Sequence, residues 1–118
     1  MPQGRVLFVK DDAAFRARYG GGKFIGGEYG GVLSDVGESL VLRTAQGVVV
    51  SSVTFDDVAP WPPATGGLSL ELIDVTQGSD RVGNWGASLV VGGTPGAANS
   101  VAASLPVIPA LYVNEVLP

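Results

Sequence analysis

Residues 37–55 read GESLVLRTAQGVVVSSVTF, two runs in which apolar side chains recur at every second position on either side of Gln46-Gly47. A period of two sends alternate side chains to opposite faces of an extended chain, so the stretch predicts a β-hairpin. Leu40 and Leu42 share a face with Thr44, while Val41 and Arg43 take the other. In the return arm Val53 and Phe55 share a face with Val49 and Ser51. Gly47 supplies the positive φ of a tight reversal, and Gly37 serves the same purpose before the first arm. The hairpin carries no chemistry, and the rest of the chain reads as cladding around it.

Upstream, RVLFVK at residues 5–10 predicts a strand. Asp11 or Asp12 then caps a short helix over residues 12–19, with Phe15 and Tyr19 one turn apart and Gly20 ending it. The glycine-dense GGGKFIGGEYGG lacks the GK[ST] of a phosphate loop, so it reads as a bulged connection with Phe24, Ile25 and Tyr29 turned inward. Downstream, the prolines of Pro60-Trp61-Pro62-Pro63 forbid regular pairing and hold Trp61 as a plug at one end of the core. Residues 68–75, LSLELIDV, alternate again, with Leu68, Leu70 and Leu72 on one face and Ser69, Glu71 and Ile73 on the other. The register with Glu71 outside avoids burying a carboxylate. The predicted core is therefore Leu40, Leu42, Val53, Phe55, Leu70, Leu72 and Trp61. Residues 76–99 read mostly as loop, with the Trp85 ring buried and its N–H on a carbonyl. Residues 100–109 read as a Pro-containing linker before a last strand-like run, LYVNEVL.

The totals agree with strands punctuated by turns: 118 residues, 46% hydrophobic, 15% charged, 18 Gly and 8 Pro. Such a length suits one domain with a single core. No Cys and no His are present, which excludes disulfides, thiol nucleophiles, common Zn sites and Ser-His-Asp triads. Net charge is −4, and Arg5, Lys10, Arg16, Arg18 and Lys23 all fall in the first quarter, a poor match to a nucleic-acid backbone. The N-terminal MPQGRVLFVKDD is not patterned as a signal peptide, no run is long enough for a membrane span, and the chain reads as a piece of a longer polypeptide.

The ordered set GESLVLRTAQGVVVSSVTFDD, PWP, GGLSLELID, NWGAS and GGTPGAAN resembles the bacterial form of the lamin-tail domain over about residues 5–100. Its signature positions here are Trp61, Ser69, Leu70, Glu71, Leu72, Asp74, Asn84, Trp85, Ser88, Gly93, Thr94, Pro95, Gly96 and Asn99. The resemblance implies an all-β, immunoglobulin-like β-sandwich, with the one short helix near residues 12–19. It also implies a domain over residues 1–100, followed by a linker and C-terminal strand over 101–118. The family's opening strands are missing from the N-terminus, whereas Val113-Asn114-Glu115-Val116 resembles the first of them.

From these residues the expected function is a non-catalytic interaction or spacer module of a larger exported or cell-surface bacterial protein, placed outside the cell. The alternative is an accessory domain that brings an attached nuclease or phosphatase to its substrate or to the cell surface. Partners are then a protein or cell-surface component, with no nucleic acid, or a second copy through strand exchange at Tyr112, Val113, Asn114, Glu115 and Val116. No cofactor is expected and no catalytic residue is assigned. Glu71 and Asp74 lack a His or Lys partner for acid–base work. Asp56, Asp57, Asp74 and Asp80 are the candidate Ca²⁺ ligands, without the spacing of a Ca²⁺ loop. Trp61, Trp85 and Tyr29 are the candidate sugar-stacking rings, weighed against ordinary burial of an indole.

Overall fold

The computed structural model describes residues 4–107, 109 and 114–117. The central hairpin forms as its periodicity predicts: β3 (Gly37–Arg43) pairs antiparallel with β4 (Val49–Asp56), Leu40 opposite Val53 and Glu38 opposite Phe55. Gly47 turns the chain at φ +87°, with its amide on the Thr44 carbonyl. At Gly37, φ is +112° and a Cβ would stand 2.5 Å from the Phe55 carbonyl oxygen, so only glycine fits. The register shifts between Leu42 and Arg43, which sets Val49 opposite Arg43 and out of line with Ser51 and Val53.

The N-terminal third is a miniature β-α-β unit. β1 (Leu7–Val9) leads into α1 (Asp12–Tyr19), and β2 (Ile25–Glu28) returns parallel to β1. The helix matches its expected bounds: the Asp11 carboxylate accepts from the Ala14 amide at 2.8 Å, and Gly20 closes the C-terminus at φ +81°. β2 lies in the segment read as a bulged connection. Gly26 is there for close approach, since a side chain at that position would collide with that of Val6, whereas a Cβ at Gly27 would only touch the Phe8 ring at an ordinary 3.7 Å. Ile25 and Tyr29 are half-buried as expected, but Phe24 is exposed. The third pair is β5 (Leu70–Leu72) with β6 (Trp85–Ala87), antiparallel, joined by a loop that ends in the 3₁₀ turn Val82–Asn84.

Among the described residues, three separate two-stranded sheets replace the immunoglobulin-like sandwich that the sequence suggested. A sandwich needs two broad apolar faces set against each other. Here β1, β5 and β6 are three residues each, β2 has two glycines in four positions, and β1–β2 is parallel across a helix, so the chain is mixed α and β rather than all-β. The predicted core fails with the sandwich. Leu40 and Leu42 are exposed, and Val53, Phe55, Trp61, Leu70 and Leu72 are only half-buried. Among the described residues, Val9 is the one buried hydrophobic; Glu71, Asp74, Asn84 and Ser88 are the buried polar ones. The strand read over 68–75 shrinks to β5, and its faces are reversed: Glu71 points inward and its leucine neighbours are partly open.

The segment from Ser100 to Leu105, read as linker, is bound to β5 and the loop after it. The Ala103 amide donates to the Ile73 carbonyl, and the Leu105 amide to Asp74 Oδ2 at 2.9 Å. Of the expected exchange strand, Tyr112 and Val113 lie outside the described residues, while Asn114, Glu115 and Val116 are exposed and in no strand.

Candidate functional site

The β5–β6 pair has a polar interior because of what its loops offer. Glu71 is flanked on one side by the turn at Thr94 and on the other by Ser100. Its Oε1 accepts from the Thr94 hydroxyl at 2.6 Å, and Oε2 accepts from both the amide and the hydroxyl of Ser100 at 2.7 Å. A buried carboxylate is tolerated only when its lone pairs are used in this way. Burial alone raises its pKa, but the Thr94 and Ser100 hydroxyls and the Ser100 and Val101 amides outweigh it and leave the group below the usual glutamate value. The turn that places Thr94 has Gly93 at φ +70°, where a Cβ would meet Ser69 Oγ at 2.5 Å.

Asn84, fully buried, ties the loop after β5 into a knot. Its Oδ1 accepts from the Asp74 amide at 2.8 Å, and Nδ2 donates to the carbonyls of Asp74 at 2.9 Å and Gly78 at 3.1 Å. The Ile73 amide donates to the Asn84 carbonyl, continuing the β5–β6 ladder. Ser88 does the same service at the other end, with its Oγ accepting from the Ser69 amide and donating to the Val90 carbonyl. Asn99 Nδ2 donates to the Leu72 carbonyl. The Trp85 indole N–H donates to the Ser79 carbonyl at 2.9 Å, as the sequence predicts, and the ring packs at 6.1 Å from Trp61.

The Asp74 carboxylate is fully engaged. Oδ1 accepts from the hydroxyl and amide of Thr76, and Oδ2 from the Leu105 amide and Gln77 Nε2. The Thr76 hydroxyl and then the Leu105 and Thr76 amides, with a smaller part from Gln77, pull its pKa from 3.8 to about 2 against the opposing effect of desolvation. A depressed carboxylate stabilises the fold above its unfolded pKa and loses that effect as pH falls through the folded one. Stability should therefore hold down to about pH 4 and decline toward about pH 2, read by thermal melts across that range. Asp74→Asn should lower stability near neutral pH and flatten the acid slope; an unchanged slope contradicts the assignment.

Most of the signature positions quoted above thus meet in one place, and what they build is internal scaffolding. The candidate Ca²⁺ ligands do not meet: Asp56 Oδ1 accepts the amides of Asp57 and Val58, Asp74 is engaged as described, and Asp80 is exposed in its loop. Among the described residues no group of three or more His, Cys, Asp or Glu is placed to hold a metal. Tyr29 stands apart from the Trp61–Trp85 pair, in the wall of an open cleft of about 830 Å³ that also takes in Phe15, Tyr19, Leu70 and Glu71. The Tyr19 hydroxyl closes one side of it by donating to the Gly92 carbonyl at 2.7 Å.

Sequence reasoning missed Thr76, Gln77, Ser100 and Leu105 as partners. The available signal was local: Asp74-Val75-Thr76 has the spacing of an aspartate that accepts from the amide two residues on. No helix among the described residues is long and apolar enough to cross a membrane. Compared with protein-family models, curated proteins and solved structures, the chain matches none.

Proposed function

We propose that this chain is a non-catalytic interaction and spacer module of a larger exported or cell-surface bacterial protein, of the lamin-tail kind that its SLELID, Asn84-Trp85 and GGTPG motifs resemble. One observation carries the reading: Glu71 and Asp74, the carboxylates best placed for acid–base chemistry, have both oxygens occupied by structural hydrogen bonds. A general base needs a free lone pair within reach of its substrate and a pKa near the working pH; both groups are instead held low. The exposed strands of the β3–β4 hairpin suit contact with other polypeptide. The full chain should turn over no ester, phosphoester or glycoside, and Glu71→Gln should leave that blank unchanged. Turnover that disappears in Glu71→Gln or Asp74→Asn overturns the reading.

A further inference from the structure

We infer that β3 is a self-association edge, pairing antiparallel with β3 of a second copy to make a four-stranded sheet from two hairpins. The partner assignment rests on the reading of the chain as an interaction module, yet the mass measurement below and the turnover assay above fail separately. A two-stranded hairpin is marginal in water by itself, and three or more strands or a packed face are needed to hold it. The β3–β4 pair has no third strand among the described residues and only a partly covered face: Val53 and Phe55 are half-buried, but Leu40, Val41 and Leu42 are 37%, 46% and 44% exposed, and Val49 and Val50 lie open beside them.

The two edges of this hairpin differ. Along β4, Ser79 Oγ donates to the Ser52 carbonyl at 2.9 Å and lies 3.1 Å from Ser51 Oγ, so the 76–80 loop is laid against that side. Along β3, no strand is paired on the outer side among the described residues. Proteins blunt open edges with lysine, proline, bulges or very short strands. β3 runs seven residues without lysine or proline, and its register is regular from Gly37 to Leu42.

A two-fold axis normal to the sheet fixes which registers are allowed, because residues directly opposite must share a face. With Val41 on the axis, Leu40 of each copy stands opposite Leu42 of the other, giving four leucines in one cluster. Ser39 then faces Arg43 and Glu38 faces Thr44, so no like charges meet. Moving the axis to Leu40 would press Glu38 against Leu42, and the Val41-centred register is favoured for that reason.

Val41 on the axis gives a direct test, since one substitution places two copies of itself face to face. Sedimentation velocity on the full chain should show a dimer that dissociates on dilution. Val41→Lys and Val41→Glu should each weaken it by about a hundredfold through like-charge opposition, with circular dichroism unchanged. An equimolar mixture of the two should restore the dimer. A wild-type chain that stays monomeric at high concentration, variants that dimerise like the wild type, or a mixture that stays monomeric would each overturn the pairing.

Discussion

Asn84→Ala should cost about 3–5 kcal/mol in urea unfolding, a large part of the stability of a domain this size. The substitution removes three side-chain hydrogen bonds around a position that is 0% exposed; it leaves the Asp74 amide and the Gly78 carbonyl without partners, while the Asp74 carbonyl keeps the Gln77 amide. An orphaned buried polar group costs roughly 1–3 kcal/mol, so two of them dominate over the small volume lost. Asn84→Asp keeps the acceptor for the Asp74 amide but turns an oxygen toward two carbonyls, and should be no better than alanine. A loss well below about 1 kcal/mol in both variants would mean that water replaces the asparagine freely and the knot is not a unit.

Glu71→Leu is the second large effect, about 2–4 kcal/mol, because the Ser100 amide and two hydroxyls lose their acceptor in a place where leucine brings no new partner. Glu71→Gln should cost only about 1 kcal/mol: the amide oxygen can serve Ser100, and the Thr94 hydroxyl can rotate to accept from Nε2. The ratio between the two variants is the informative quantity. If leucine is tolerated as well as glutamine, the site behaves as an ordinary apolar position and the reversed face of β5 loses its energetic meaning. Both variants should also unfold with a shallower acid slope, since the lowered Glu71 pKa contributes stability that is lost as pH falls.

What the sequence made legible was local. The 3.6- and 2-residue periods, Asp11, Gly20 and Gly47 are short-range signals, and α1, β3, β4 and the hairpin turn all fall where those signals put them. Face assignment failed where it depended on the rule that charge stays outside. Glu71 breaks that rule because Thr94 and Ser100, 23 and 29 residues away in the chain, converge on it. Nothing local to SLELID announces those partners. The parallel β1–β2 pair was hidden for a related reason: IGGE has no alternation to read, and Gly26 answers to Val6 across the pair. The signature positions were legible as a set, but their purpose was not, since a buried polar network and a reactive site draw on the same residue types.

The central claim is that buried hydrogen bonds around β5 and β6, rather than an apolar core, hold this chain together. Native-state amide hydrogen exchange, at a dilution where the chain is monomeric, tests it without altering a residue. The account predicts that the amides of Ser69, Asp74, Ser88, Ser100 and Leu105 exchange slowest and as one cooperative group, while those of Leu40, Val41 and Leu42 exchange faster. Slowest exchange in the β3–β4 hairpin, with the Asp74 and Ser100 amides open to solvent, would contradict it.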